Sequence, residues 1–250
     1  MALLPIHVAA HEGDVDALRR ELGTNVSPDV ATAHGLMRPV HYVVKGSLGA
    51  KFSFGVRATA DDLARDTEKR VACIHLLAAA GANMNAVETP TGSARTALML
   101  AALEGNPTLL AALLDAGSDV NSSLGSGWTP LHDVMCGRGS RKNAEECARL
   151  LINAGAKSGN MRTSWQWILQ SGKPRLYPML LRAGAALPAV TALRTDDTYL
   201  RKVIAAGGFR AYQCNHLNAL VASFAPKLPR RLPQEMVRRV VKYAFHVGYY

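Results

Sequence analysis

Three histidines close near-identical tetrapeptides: Leu4-Pro5-Ile6-His7, Arg38-Pro39-Val40-His41 and Thr129-Pro130-Leu131-His132. An imidazole serves as a metal ligand, a general base or a hydrogen-bonding strut. Here the histidine recurs together with its frame, Pro and a branched aliphatic included, which is what a structural role predicts. The other reactive types are scattered. Asp61 and Asp62 are neighbours, but adjacent helical positions point different ways and cannot converge on one substrate. Cys73, Cys136, Cys147 and Cys214 lie far apart with no C-x-x-C pair, which argues against a zinc site and against a disulfide framework. Gly125-Ser126-Gly127 lacks the flanks of a nucleophile turn, and no phosphate loop, dinucleotide fingerprint, H-E-x-x-H or calcium loop occurs. We expect a non-enzyme, with no catalytic residue, no metal and no cofactor.

The elements that must hold these histidines are marked by a second phrase. It reads Leu76-Leu77-Ala78-Ala79-Ala80-Gly81-Ala82, Leu113-Leu114-Asp115-Ala116-Gly117-Ser118, Leu150-Leu151-Ile152-Asn153-Ala154-Gly155-Ala156 and Leu180-Leu181-Arg182-Ala183-Gly184-Ala185. Two phrases in fixed order at a period of about 33 residues are the signature of a helical solenoid. The first unit shows the local logic. Pro5 suits the first turn of a helix reaching about Glu12, Gly13 stops it, and Asp14 caps a second helix with Val15, Leu18 and Leu22 on its apolar stripe. Gly81, Gly117, Gly155 and Gly184 stand where a helix ends in the left-handed region. Cys73 and Cys147 fall at apolar-facing helical positions and read as small core residues.

These units resemble the ankyrin repeat, whose pattern is a turn, T-P-L-H, two short antiparallel helices and a Gly-Ala after the second. The third unit runs from Thr96-Ala97-Leu98-Met99 through Gly105 to Ala116-Gly117, and the fourth opens Gly127-Trp128-Thr129-Pro130-Leu131-His132. In the fifth, Thr163-Ser164-Trp165-Gln166 replaces the tetrapeptide, and Tyr199 to Gly208 is a sixth stump. The resemblance implies an all-α solenoid of about five full repeats and one degenerate repeat over residues 1–208, with a helical C-terminal cap or tail over 209–250. It also implies reversible protein binding on a concave face of first helices and turn tips. The positions expected to carry contacts are His11, Glu12, Arg95, Leu103, Glu104, Trp128, Asp133, Met135, Trp165 and Trp167. Trp, Met and Arg are enriched among interface anchors.

Two inserts depart from the pattern at the same point of the repeat: residues 46–70 in the second unit and 137–143 in the fourth. They are read either as part of a binding face or as surface loops, whose length costs little free energy. In the tail, Leu217, Leu220, Val221 and Phe224 share a helical face, a Pro-rich break follows, and a second helix starts at Gln234. That arrangement is similar to a SOCS box, the module that joins ankyrin-type adaptors to an elongin-cullin ubiquitin ligase, although Val221 stands where that family carries a cysteine. Three uses compete: interaction scaffold, ubiquitin-ligase adaptor, and structural subunit of a larger assembly.

The net charge is +10, from 29 basic against 19 acidic residues, and Arg230, Arg231, Arg238 and Arg239 concentrate the excess in the tail. A basic patch can serve RNA, an anionic membrane or an acidic protein, or be a solvated face, which is the reading preferred here; the sparse aromatics argue against single-stranded nucleic acid. No apolar run is long enough to span a bilayer. The start lacks the basic n-region of a signal peptide, so we expect a complete chain with nothing to cleave. Reduced thiols fit a cytoplasmic or nuclear location.

Overall fold

Proline, glycine and capping residues set out the helices in the order the repeat phrases require. The computed structural model describes residues 3–32, 36–49, 59–88, 94–123, 127–137, 139–157, 165–193, 197–227 and 233–244. By its internal contacts the chain forms two compact units, Met1–Ala156 and Lys157–Tyr250.

The first unit is a stack of antiparallel helix pairs: α1 (Pro5–Glu12) with α2 (Val15–Gly23), α3 (Pro39–Gly49) with α4 (Ala60–Ala79), α5 (Ala97–Glu104) with α6 (Pro107–Asp115), and α7 (Pro130–Cys136) with α8 (Arg141–Asn153). First helices stack in one layer, α1 on α3, α3 on α5 and α5 on α7; second helices stack in another, α2 on α4, α4 on α6 and α6 on α8. Each pair is too short to bury its own stripe, so the core runs between neighbours through Ile6, Leu18, Val43, Ile74, Leu98, Leu109, Leu131 and Leu151.

The local signals act as their chemistry demands. Gly13 takes φ +71 at the end of α1, and the Asp14 carboxylate accepts from the N–H groups of Asp16 and Ala17 to cap α2. The glycines after the second helices lie at φ +81 (Gly81), +87 (Gly117) and +88 (Gly155). Cys73 and Cys147 are fully buried.

The inserts are less loop-like than their composition suggests. Residues 50–58 lie outside the described residues, but α3 runs on to Gly49, and residues 60–70 are the first turns of α4 behind a Thr59–Asp62 capping box. Within that extension Arg70 is buried, and it donates to three acceptors in the repeat core. In the fourth unit Ser140 caps α8, and Gly139 abuts Gly105 so closely that a Cβ on Gly105 would lie 2.5 Å from the Gly139 Cα. Both inserts are partly consumed in helix starts anchored to the preceding repeat.

The second unit holds α9 (Trp165–Gln170), α10 (Tyr177–Arg182), α11 (Thr198–Ala205), α12 (Phe209–Phe224) and α13 (Gln234–Ala244). Its core contains Trp165, Ile168, Leu176, Leu180, Leu200 and Val203, and Gly184 takes φ +88 after α10. α12 packs on α11 and α13. It starts six residues before Asn215, the first position at which the apolar spacing becomes regular. Among the described residues there is no strand; Val87 and Thr96 form one isolated antiparallel bridge. No described helix is long and apolar enough to cross a membrane.

Candidate functional site

The repeated histidines are struts. His132 is buried, and its Nδ1 accepts from the Thr129 N–H at 3.0 Å and the Thr129 hydroxyl at 2.8 Å. His41 Nδ1 accepts from the Arg38 N–H, so its Nε2 carries the proton and donates to the Ala86 carbonyl at 2.9 Å, in the turn of the next unit. His7 makes the same reach with Nε2 to the Val30 carbonyl, also 2.9 Å. Burial lowers the pKa of all three, that of His132 to about 4. They are neutral hydrogen-bonding groups near neutral pH.

The turns preceding the first helices carry the surface chemistry. In the third unit the chain pairs back on itself: Glu88 N–H donates to the Arg95 carbonyl beside the Val87–Thr96 bridge, making a short finger. Glu88 holds Lys45 of α3 at 2.6 Å. Across the repeat boundary, Arg95 Nε and Trp128 Nε1 both donate to one oxygen of Asp133, at 3.1 and 3.0 Å. The Trp128 ring lies over His132 with centroids 5.1 Å apart. Asp133 is fully buried, and burial pushes its pKa up to about 6 against the opposing pull of Arg95 and the Trp128 N–H.

Exposure sorts the contact positions expected from the sequence. His11 and Glu12 are exposed at the end of α1; Arg95, Leu103, Glu104 and Trp128 are half-buried. Asp133, Met135 and Trp165 are not surface groups. Met135 is packed in the α5–α7 layer. Trp165 is buried against Tyr177 and donates its indole N–H to the Ala186 carbonyl at 2.6 Å. Position in the first helix did not reveal which side of it the next repeat covers. Trp167 lies in α9, but its side chain is outside the described residues, as are Arg230 and Arg231 entirely. Arg238 and Arg239 are exposed on α13, where Arg238 donates to Asn218 Oδ1 at 3.2 Å.

Sequence reasoning passed over the apolar surface. In Met1–Ala156 the exposed large hydrophobics among the described residues are Leu3, Leu4, Val8, Leu36 and Val87. Every one lies on α1 or in a segment leading into a first helix; none is on α2, α4, α6 or α8. For Leu3, Leu4 and Leu36 the legible signal was an apolar residue at or just ahead of the histidine tetrapeptide; Val8 and Val87 carry no such mark. In the tail, the sixteen-residue α12 buries none of its side chains, and Met236 and Val240 are exposed on α13.

A two-layer stack of short helix pairs, the first two tied forward by His7 and His41, defines a helical repeat protein. Comparison with known proteins specifies the repeat. Residues 63–162 match the family model "Ankyrin repeats (3 copies)", and the fold class is the all-α, ankyrin-like helical solenoid. Nuclear factor NF-kappa-B p105 subunit of Gallus gallus is 34% identical over 143 residues, covering 56% of this chain and 12% of its own length. Ankyrin repeat and SOCS box protein 3 of Bos taurus is 30% identical over 107 residues, covering 40% of this chain and 19% of its own length. The chain thus spans under a fifth of each of these relatives. Among solved structures, the human ASB11 ankyrin repeat domain superposes with a TM-score of 0.51 at 20% identity, covering 74% of this chain and 71% of that one.

Proposed function

We propose that this chain is a non-enzymatic protein-binding module that takes its partner on the face built from turn tips and first helices. The observation that carries this reading is the one-sided placement of exposed apolar side chains in the first unit, all on α1 or on segments leading into first helices. Five scattered apolar side chains need no explanation, whereas five confined to one of two layers mark a surface kept for contact. The face offers shape and anchors for a partner.

The test is affinity purification of the tagged chain with mass spectrometry, run beside the variant Val8→Asp/Leu36→Asp and a control, Arg19→Asp/His75→Asp, on second helices. Partners lost with the first variant and kept with the control support the face. Partners retained by the first variant would overturn it.

A second reading places recruitment in the tail. α12 buries no side chain fully even with α11 and α13 packed on it, and its Leu217, Leu220 and Val221 stay half-buried on one face, which supports this reading. The bovine relative named for ankyrin repeats and a SOCS box favours an adaptor role for that helix. Co-purification with the elongin pair, abolished by Leu217→Asp/Leu220→Asp, is the expected result; its absence from wild-type chain removes this reading.

A further inference from the structure

Arg95 and Trp128 occupy the same position of consecutive repeats, each one residue before the threonine that opens the first helix. Both send an N–H to one oxygen of Asp133, which is completely buried. The other oxygen, Oδ2, is buried and has no hydrogen-bond partner among the described residues. A buried carboxylate with one oxygen unsatisfied is costly to the fold. The other repeats avoid that cost at the residue after the histidine position: Val8, Tyr42 and Leu100 stand where Asp133 does. The carboxylate therefore needs a reason beyond folding, and what it does geometrically is fix two interface-type side chains.

Its hold on Arg95 is through Nε alone. The Nη1 and Nη2 groups make no hydrogen bond among the described residues, and the side chain retains 21% exposure. An arginine anchored at Nε presents its two terminal nitrogens in a fixed fork, the geometry that pairs with a carboxylate. Joined to it through Asp133 is an apolar surface, the half-buried Trp128 ring resting on His132. The finger's own acid, Glu88, is held by Lys45.

We propose that Arg95 and Trp128, fixed by Asp133, are a preorganised recognition pair for an acidic segment of a partner protein, taking a carboxylate on the Arg95 fork and an adjoining apolar side chain on the Trp128 ring. This rests on the turn-tip face being the binding face and names the chemistry of its partner. Asp133 is a positioning residue: by holding the guanidinium and indole in place before binding, it removes side-chain ordering from the cost of association.

The experiment is selection of a phage-displayed random dodecapeptide library on the full chain, followed by fluorescence polarisation with synthetic copies of the selected peptides. Expected are peptides with Asp or Glu next to an apolar residue. Their affinity should fall about tenfold with Arg95→Ala and with Arg95→Lys, which keeps the charge and loses the fork. Replacing the peptide carboxylate by its amide should cost the same, and the two losses should not add. Asp133→Asn should give a smaller loss that disappears with the amide peptide, which a merely structural role would not produce. Peptides without acidic residues, or affinities indifferent to Arg95, overturn the pair. If such peptides still weaken with Leu36→Asp, the turn-tip face survives without it; if they ignore Leu36 as well, both fall. A selection that recovers nothing also overturns the pair.

Discussion

Arg70 Nη1 donates to the carbonyls of His11 and Val43, 2.9 Å from each, so one guanidinium closes the C-terminal end of α1 and the body of α3 together. Its Nε meets Asp66 at 2.7 Å, and the side chain is almost wholly buried. The helix extension that ends the long insert thereby becomes part of the first two repeats.

Arg70→Met should destabilise the first unit by about 3 kcal/mol, since it leaves two carbonyls and the Asp66 carboxylate without their shared donor. Gly46→Ala tests the same junction from the other side, because a Cβ there would collide with the His11 carbonyl and the Arg70 guanidinium. Urea unfolding followed by circular dichroism measures both; midpoints matching wild type would mean that the junction carries no stability.

Gly117→Val should cost about 1–2 kcal/mol through backbone strain alone. The residue lies at φ +87, and a Cβ would meet nothing within 4 Å. Gly117→Asn, which tolerates the left-handed region, should cost clearly less than valine. Equal losses for the two substitutions would point to a steric cause and contradict this account.

His132 and Asp133 oppose one another in acid. Burial lowers the His132 pKa from 6.5 to about 4, so the stability it contributes is present above pH 6.5 and lost as pH falls towards 4. Burial raises the Asp133 pKa from 3.8 to about 6, so its contribution is full below pH 3.8 and lost as pH rises through 6. Acidification from pH 7 to 4.5 therefore costs at the histidine and gains at the aspartate. Asp133→Asn removes the gain, and the variant should lose about 2 kcal/mol more than wild type over that interval. Parallel stability curves for the two proteins would refute the assignment.

Thiol reactivity should rank by burial. Cys214 is exposed, whereas Cys73 is fully buried with its pKa pushed up to about 11. Maleimide at pH 7 should label Cys214 within minutes and Cys73 only when the chain unfolds, a difference that peptide mass mapping resolves. Prompt labelling of Cys73 would show that α4 opens readily.

The repeat frame was legible because its signals are local. Proline at a first turn, glycine at a left-handed stop and an aspartate cap each act within a few residues, and Pro5, Gly13 and Asp14 do so. What the sequence could not tell was which first-helix residues the neighbouring repeat would cover. Asp133 and Glu104 look alike as polar residues on first helices, yet one is buried and the other half-buried. Arg95 and Asp133 stand 38 residues apart and are joined only by stacking. Arg70 was hidden for the same reason: residues 60–70 read as an upstream extension of the second helix, but nothing marked their last residue as filling the space between three helices.

The forward reach of the histidines also sets a schedule for synthesis. His7 Nε2 reaches Val30, 23 residues on, so the first turn can close soon after the second unit begins to emerge. His41 waits for Ala86, 45 residues on, because the insert lies between them. During translation the second repeat therefore stays open over nearly twice that length of nascent chain, before α4 and α5 can pack on α3. That interval is when a chaperone has most to gain from holding this protein.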